Sequence, residues 1–423
     1  MAAAADSVGL RGDARVVGLV GLAHGISHFY QLVIPSLFPW IKVDFGLSYA
    51  QLGFVTTVFY AVSGVCQAAA GFAVDRFGAQ RVLLCGLLLL AAGAAVAAMA
   101  PGYGALLLAA GLIGLGNSVF HPADFAVLNS RVSPPRLGHA FSVHGLTGNL
   151  GYAAAPPLMF AIGSAAGWRT ALACAALAGV AMAALVWALP AVFAARRHLS
   201  GSAASPAPGH AGQGGAAEAP RLTWLNGTVV GFFVFFVCLT AVGTGIQNFA
   251  PQVMHKLYGA AQATAASALT LYLLAAAGGM VVGGFVVTRV ARQEAAAAAA
   301  LVLAAALLAL AATGLPPLGA AVAALGGVGF LTGVVGPLRD MLIRRVASAG
   351  TMGRVYGVVY SGIDVGGAIG PALLGVFLDR GRPGVAWAAL AVSLLAGAAL
   401  SLWVGARMRA SQVHGPAPAG KRA

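Results

Sequence analysis

The chain has 423 residues, of which 60% are hydrophobic and 8% are charged. Soluble globular chains carry about 25% charged residues, so this composition excludes a soluble enzyme, a nucleic-acid-binding protein and a disordered scaffold, and indicates a protein embedded in lipid. The formal net charge of +14 is therefore expected in loops on one side of a membrane.

Apolar runs of about 20 residues, the length that crosses a bilayer as a helix, follow one another along the chain. They fall near 16–38, 50–74, 80–100, 104–130, 138–163, 168–192, 224–252, 263–287, 295–314, 317–343, 353–378 and 384–405. The first run lacks a small-residue cleavage site and is expected to remain as a membrane helix. The sequence predicts an all-α membrane protein with twelve transmembrane helices in two pseudo-symmetric six-helix bundles.

The predicted organisation has five parts. Residues 1–15 form a polar cytoplasmic lead, 16–193 the N-terminal bundle, 194–222 a flexible cytoplasmic linker rich in Gly, Ala, Ser and Pro, 223–405 the C-terminal bundle and 406–423 a cytoplasmic tail. Most Lys and Arg side chains fall in loops on the same side as both termini, as the positive-inside rule requires. We expect a multi-pass protein of the bacterial inner membrane with both termini in the cytoplasm.

The two halves resemble each other in sequence. Gly71-Phe-Ala-Val-Asp75-Arg76 aligns with Gly284-Phe-Val-Val-Thr288-Arg289, and Pro122, Gly138 and Pro156 align with Pro337, Gly353 and Pro371. Halves repeated in this way place a binding site between them, near the middle of the bilayer.

Four predicted spans carry a stripe of polar side chains along one face. The stripes are His24, His28 and Gln31 on the first span, Asn117, His121 and Asp124 on the fourth, Thr244 and Gln247 on the seventh, and Arg339 and Asp340 on the tenth, with His144 and Asp364 on the fifth and eleventh. An ionised residue at the centre of a membrane helix costs roughly 2.5 to 3.5 kcal/mol. We therefore expect these side chains to face a shared polar cavity that carries substrate and protons.

The same residues also have structural interpretations. Arg339 could pair with a carboxylate to hold helices together, Asp124 could lie at the interface near a helix end, and a single histidine is more often a packing residue than a ligand. In the functional interpretation, one carboxylate carries the proton and the histidines form a relay. A transition-metal site of His24, His28, His121 and Asp124 is also chemically admissible.

Motifs in the N-terminal half carry a family resemblance. The loop after the second span, Gly71-Phe-Ala-Val-Asp75-Arg76-Phe-Gly78-Ala-Gln-Arg81, resembles the loop signature of the major facilitator superfamily. Gly114-Leu-Gly-Asn-Ser-Val-Phe-His121-Pro122 and Gly138-His-Ala-Phe-Ser-Val-His144-Gly145 resemble the fosmidomycin resistance protein group of exporters within it. The resemblance implies two bundles that rock between inward-open and outward-open states, with the first, fourth, seventh and tenth helices lining the cavity.

The loop motif also has a mechanical interpretation. Glycine permits close helix approach and a tight turn, and Asp75 could contact the positive N-terminus of the eleventh helix near Arg354. The predicted conformational latch comprises Gly71, Asp75, Arg76, Gly78, Arg81 and Arg354. In the simpler alternative, Asp75 only balances the neighbouring arginines.

The residues and the resemblance together favour secondary active transport of a small organic solute, as proton-coupled efflux of a drug or metabolite. Proton-coupled uptake of an organic anion and transport of a transition metal or metal chelate are the alternatives. No nucleophile with a base partner and no P-loop is visible, so we do not expect an enzyme. We expect a monomer in lipid whose partners are the solute and protons, with no nucleic acid, no metal and no cofactor beyond the proton gradient.

Overall fold

The computed structural model describes residues 2–193, 226–346 and 352–413. Within these ranges the first half contains α1 Ala2–Val33, α2 Phe38–Phe45, α3 Tyr49–Phe77, α4 Ala79–Ala98, α5 Tyr103–Asn117, α6 Phe120–Arg131, α7 Leu137–Ala166, α8 Trp168–Ala188 and α9 Pro190–Phe193. The second half contains α10 Gly227–Tyr258, α11 Gln262–Arg289, α12 Gln293–Ala312, α13 Leu318–Val346, α14 Met352–Asp379 and α15 Pro383–Val413. The predicted linker 194–222 lies outside the described residues, as does the end of the predicted tail.

Eleven stretches of the described helices are long and apolar enough to cross a membrane. The remaining predicted span corresponds to α7, which has 30 residues and carries polar side chains such as His144 and Asn149. At 1.5 Å per residue α7 is about 45 Å long, which is enough to cross a bilayer. It packs against α1 and α11, so these polar side chains can face protein instead of lipid.

Helix contacts repeat between the two halves. In the first half α1 packs against α7, α3 against α5 and α4 against α8, and in the second half α10 packs against α14, α11 against α13 and α12 against α15. The contacts between the halves repeat as well, because α3 packs against α14 and α11, the counterpart of α3, packs against α7. This pattern confirms the predicted fold class of two pseudo-symmetric bundles.

The fourth span is broken where the sequence predicts a continuous helix. Helix α5 ends at Asn117 and α6 begins at Phe120. Pro122 explains the break, because proline cannot donate a hydrogen bond to the carbonyl of Ser118 and its ring collides with that carbonyl. Asn117 and His121 therefore belong to different helices, although both reach side chains of α1.

The N-terminal lead is not a separate segment, since α1 begins at Ala2 and not near Val16. Asp13 is buried and lies 2.8 Å from Nη1 of Arg136. It also accepts a hydrogen bond of 3.3 Å from the backbone amide of Ser133. These contacts fasten the start of α1 to the connection between α6 and α7.

One end of the interface between the bundles is closed. It lies where α14 ends at Asp379 and α3 begins at Tyr49, and we call it the Asp379 end. The ring of Phe249 on α10 lies 5.7 Å from that of Phe38 and 6.1 Å from that of Tyr49, between centroids. Asn248, the residue before Phe249, accepts through Oδ1 a 2.6 Å hydrogen bond from the hydroxyl of Thr56, which lies two turns along α3 from Tyr49. Aromatic packing and a buried hydrogen bond thus join the bundles at this end.

Glycines allow α3 and α14 to pack closely along this interface. A Cβ added at Gly53 would collide with the backbone of Pro371. On the next turn the hydroxyl of Thr57 donates a 2.6 Å hydrogen bond to the carbonyl of Ala368. Close backbone approach at small residues is how membrane helices associate when lipid supplies no hydrophobic drive.

Candidate functional site

Four histidines and one aspartate from three helices meet inside the N-terminal bundle. We call this group the histidine cluster; it consists of His24 and His28 on α1, His121 and Asp124 on α6, and His144 on α7. His24 and His28 share a face of α1 because residues four apart lie one above the other on a helix. The cluster brings together residues from two of the predicted polar stripes and from α7.

Asp124 lies at the centre of the cluster and has no exposed surface. Its Oδ2 atom lies 3.1 Å from Nε2 of His144 and 3.1 Å from Nδ1 of His24, and only the first contact has the alignment of a hydrogen bond. The rings of these two histidines stack with 3.6 Å between their centroids. The sequence predicts that Asp124 lines a cavity or lies at the interface, but here histidine rings enclose it.

Three buried atoms of the cluster have no hydrogen-bond partner among the described residues. They are Oδ1 of Asp124, Nδ1 of His24 and Nδ1 of His28. An unsatisfied buried polar atom costs about 1 to 3 kcal/mol. Such atoms are therefore expected to bind a proton, a water molecule or an ion when the protein is at work.

The other two histidines lie at the edge of the cluster. The ring of His121 is 5.2 Å from that of His24, and the ring of His28 is 4.4 Å from that of His24, between centroids. Both are only partly buried, which leaves them accessible from outside the cluster. On its other side, His28 lies 4.4 Å from the ring of Tyr152.

Tyr152 connects the cluster to a second group of polar side chains. Its hydroxyl donates a 2.6 Å hydrogen bond to Oε1 of Gln31, which also accepts a 3.3 Å bond from the hydroxyl of Tyr60. Nε2 of Gln31 donates to Oδ1 of Asn117 at 3.2 Å, and Nδ2 of Asn117 donates to Ser63 at 3.0 Å. We call these five residues the amide–tyrosine network.

Gln31 and Asn117, from two of the predicted stripes, thus bond directly to each other, and their further partners were not selected by the sequence analysis. Those partners are Tyr60, Ser63 and Tyr152. One signal was available, because Tyr152 follows His144 by eight residues and therefore lies on the same face of α7. Apart from this spacing, a tyrosine in a membrane segment is usually interpreted as a packing residue, because its ring is apolar.

Asp364 on α14 lies where the C-terminal bundle meets this network. A Cβ added at Gly64 of α3 would be 2.7 Å from Cγ of Asp364. Three residues further along α14, a Cβ added at Gly367 would be 2.6 Å from Cδ1 of Tyr60. Asp364 is therefore a side-chain carboxylate of the C-terminal bundle that lies beside a polar network of the N-terminal bundle.

Arg339 and Asp340 form a separate group in the C-terminal bundle. Nε of Arg339 lies 2.9 Å from Oδ1 of Asp340, and the hydroxyl of Tyr360 donates a 3.3 Å hydrogen bond to the same oxygen. The guanidinium lies 4.3 Å from the centroid of the Phe236 ring. The Asp340 side chain is 47% exposed against 22% for Arg339, so this pair is more open than Asp124, which has no exposed surface.

Thr244 and Gln247 both lie on α10 but have different surroundings. The hydroxyl of Thr244 donates to the carbonyl of Thr240 within α10. Gln247 lines a small cavity near Pro35 and Pro251, on the Asp379 side of the interface. Asn248, which the sequence analysis did not select, supplies the α10 side chain that bonds across to the other bundle.

The latch residues of the N-terminal half lie at the end of α3. Asp75, Arg76 and Arg81 are exposed, and Gly78 adopts a positive φ of 84° in the turn to α4. The side chain of Arg354 lies outside the described residues. Helices α3 and α14 are antiparallel, with Gly64 opposite Asp364, so the end of α3 and the first turn of α14 lie on the same side of the membrane.

Comparison with known proteins gives a consistent family match. The family model described as Major Facilitator Superfamily matches residues 20–249 and 238–422. Fosmidomycin resistance protein of Escherichia coli is 32% identical over 156 residues, which is 37% of this chain and 38% of that protein. Multidrug resistance protein B homolog of Mycobacterium tuberculosis is 29% identical over 155 residues, which is 37% of this chain and 29% of that protein. The chain thus matches 38% or less of the length of these two relatives.

A solved structure agrees over a much larger part of the chain. The crystal structure of a bacterial homologue of the human lysosomal transporter Spinster, in an inward-facing and occupied conformation, superposes with a TM-score of 0.72. The superposition covers 95% of this chain and 97% of that one, at 15% sequence identity. At this identity the likeness shows the fold alone.

Proposed function

Because the chain belongs to the Major Facilitator Superfamily, a family of transporters, we propose that it moves a small organic solute across the bacterial inner membrane by alternating access. The transport is coupled to protons, and its direction is efflux. Alternating access in such folds is a rocking of one bundle against the other around a site between them. The proposal therefore needs a proton-binding group whose surroundings change when the bundles move.

The observation that carries the proposal is a line of polar groups that crosses from one bundle to the other. It runs from His28, at the edge of the histidine cluster, to Tyr152, and then through the amide–tyrosine network to Asp364. Polar side chains are costly within a membrane and are rare there without a function. A continuous line of them in the protein interior therefore supports a functional role. Imidazole, which titrates near physiological pH, suits a relay.

Asp364 is the proton carrier in this proposal. It lies on α14 but packs against Gly64 of α3, so a rocking motion that parts these helices changes its access to water and to tyrosine hydroxyls. Asp124 lies within one bundle, where a rigid-body motion leaves its neighbours in place. Asp340 remains paired with Arg339, which makes it a less suitable carrier.

The group of Arg339, Asp340, Tyr360 and Phe236 is the proposed contact for the solute. It offers a cation, a carboxylate and the partly buried ring of Tyr360, which packs 5.0 Å from the buried ring of Phe236. An amphipathic solute with an anionic group can bind such a surface through the guanidinium and the Tyr360 ring. The names of the two relatives, which refer to fosmidomycin resistance and multidrug resistance, favour efflux.

Uptake of an organic anion with a proton is the second candidate. The partial exposure of Arg339 favours it, because a guanidinium that a solute can reach binds carboxylate or phosphate in a bidentate manner. The substrate anion would then replace Asp340 as the partner of the Arg339 guanidinium. The direction of proton-coupled flux separates the two candidates.

The test uses the full chain reconstituted in liposomes with an imposed pH gradient and a pH-sensitive dye inside. Solutes are screened for proton movement that depends on both the solute and the protein. Efflux predicts that an inside-acidic gradient drives solute into vesicles in exchange for protons, whereas symport predicts that solute and protons move in the same direction. Absence of gradient-dependent flux for every solute class would remove the proposal.

A pair of variants assigns the carrier. Asp364→Asn should abolish coupled proton movement while leaving solute exchange between equal pools, because the amide keeps the shape but cannot carry a proton. Asp44→Asn is the matched control, since Asp44 accepts a 2.6 Å hydrogen bond from Nε1 of Trp168 within the N-terminal bundle, away from the proposed route. Coupled movement in Asp364→Asn equal to that of the control would exclude Asp364.

A further inference from the structure

We propose that His24, His121 and His144 bind one divalent transition-metal ion of the zinc, nickel and cobalt class inside the N-terminal bundle, with Asp124 as the carboxylate that orients the ligands. The inference is independent of the transported solute. It concerns a resident ion in the histidine cluster.

The geometry of the three rings supports the proposal. Each offers a ring nitrogen, and these three atoms lie within 4.8 Å of one another. A tetrahedral zinc ion with Zn–N bonds of 2.0 to 2.1 Å needs ligand nitrogens about 3.3 Å apart. Because the rings of His24 and His144 are stacked and a metal binds a ring nitrogen in the plane of its ring, the proposal requires at least one of these rings to turn about its side-chain torsions when the ion binds.

The unsatisfied atoms of the cluster are a second and independent observation. Asp124 has no exposed surface and His24 is 2% exposed, yet Oδ1 of Asp124 and Nδ1 of His24 have no hydrogen-bond partner among the described residues. A cation among the rings would balance the carboxylate charge. It would also fix which ring nitrogen of each histidine donates to that carboxylate.

Asp124 matches the role that carboxylates play behind metal-binding histidines. Its Oδ2 atom accepts a hydrogen bond from Nε2 of His144 and lies 3.1 Å from Nδ1 of His24. A carboxylate that holds the second nitrogen of a histidine fixes the ring and raises its basicity as a ligand. Imidazole ligands favour zinc, nickel, copper and cobalt over magnesium and calcium, which prefer oxygen.

Gly148 on α7 has no side chain, and the imidazole rings of His24 and His28 occupy the space beside it. A Cβ added there would lie 3.0 Å from Nε2 of His24 and 3.0 Å from Nδ1 of His28. Any side chain at this position of α7 would therefore push the α1 histidines away from His144. The position thus supports a site built for imidazole rings.

The position of the cluster indicates a resident ion and not a transported one. Its three ligands come from α1, α6 and α7, which all belong to the N-terminal bundle. Bundles rock largely as rigid bodies, so this site does not open alternately to the two sides of the membrane. The partly buried His121 is the edge through which an ion can enter.

The test begins with the full chain purified in detergent, treated with a chelator and then dialysed. Co²⁺ titration should give visible ligand-field absorption, and isothermal titration with Zn²⁺, Ni²⁺ and Co²⁺ should give one ion per chain, while Mg²⁺ gives no binding. X-ray absorption of the Zn²⁺-loaded wild-type protein should show three imidazole nitrogens. Fewer imidazole ligands, or no saturable binding of any of the three ions, would overturn the proposal.

Variants locate the ion. His121→Gln, at a partly buried position, should weaken Zn²⁺ binding at least 10-fold, and Asp124→Asn should weaken it about 10- to 100-fold, as loss of an orienting carboxylate does. His139→Gln on the exposed start of α7 is the control and should leave the affinity unchanged. Loss of binding in the control, with retention in His121→Gln, would move the ion to surface histidines. The wild-type X-ray absorption result decides the matter if a cluster variant does not fold.

Discussion

The carboxylate of Asp379 accepts hydrogen bonds from the backbone amides of Tyr49 at 2.7 Å and Ala50 at 2.9 Å. Asp379 is the last residue of α14, and Tyr49 is the first of α3. Ser48 caps the same helix by accepting from the amide of Gln51. A carboxylate of the C-terminal bundle therefore completes the N-terminal cap of a helix in the other bundle and helps to close the Asp379 end.

Asp379→Ala should open this end. Loss of an N-terminal cap costs about 0.5 to 2 kcal/mol, and here the cost falls only on the closed conformation, because the cap joins two bundles. The population open at the Asp379 end should rise about 2- to 30-fold relative to the closed one. Electron–electron distance measurements between one spin label before the start of α3 and one after the end of α14 measure this ratio.

The control for that experiment is Asp44→Ala. Its side chain bonds to Trp168 within one bundle, so its loss should change stability without shifting the distance distribution. A distribution in Asp379→Ala that matches the control would show that the cap does not hold the bundles together.

Gly53→Ala should weaken the α3–α14 contact. The added methyl meets the backbone of Pro371, which cannot rotate away as a side chain can, and overpacking costs about 1 to 3 kcal/mol. Transport turnover and the population closed at the Asp379 end should both fall. Gly278→Ala on α11 is the control, because nothing lies within 4 Å of its added Cβ, and it should be neutral or slightly stabilising. Equal behaviour of the two variants would contradict the prediction.

Asp75→Asn tests the proposed latch. The register of α3 against α14 supports a contact between Asp75 and the first turn of α14, where a negative charge stabilises a helix by about 0.3 to 1 kcal/mol. The variant should therefore favour opening at that end by about 2- to 5-fold, as measured by labels at the end of α3 and the start of α14. Thr288→Asp, which restores the carboxylate in the second copy of the motif, should shift the ratio the opposite way. No shift in either variant would leave Asp75 as a simple charge partner of Arg76.

Tyr152→Phe should slow proton-coupled transport while the protein keeps its fold. The change removes the 2.6 Å hydrogen bond to Gln31, with an expected loss of about 0.5 to 1.5 kcal/mol, and interrupts the polar line between His28 and Asp364. Tyr103→Phe is the control, since it removes a 3.0 Å hydrogen bond to the carbonyl of Gln51 at an exposed position. Similar transport rates in the two variants would show that the hydroxyl of Tyr152 lies outside the proton route.

Much of the site could be predicted because helical periodicity is local. The shared face of His24 and His28 follows from their spacing alone, and burial of ionisable residues in a membrane follows from the cost of exposing them to lipid. That Asp124 would meet both His24 and His144 depends on how three helices pack around the break before Pro122, which no local pattern specifies.

Other contacts escaped prediction for a geometric reason. After Thr244, a helical stripe can continue three or four residues later, because 3.6 residues make one turn. The sequence analysis chose Gln247, whereas the structure uses Asn248 to reach Thr56. Only the position of α3 decides between the two, and that position depends on the packing of the two bundles.

Gene duplication alone would give both lines of contact between the bundles the same chemistry, and this protein departs from that symmetry. Helix α14 ends in Asp379, whereas the equivalent position of α7 is Ser164, and α3 carries Asp75 where α11 carries Thr288. Asp379 joins α14 to α3, and Asp75 is proposed to join α3 to α14, whereas the two equivalent positions at the contact between α7 and α11 are not acidic. We expect substitutions at the contact between α3 and α14 to set which conformation the protein adopts at rest. The residues that bind the solute could then change without altering that preference.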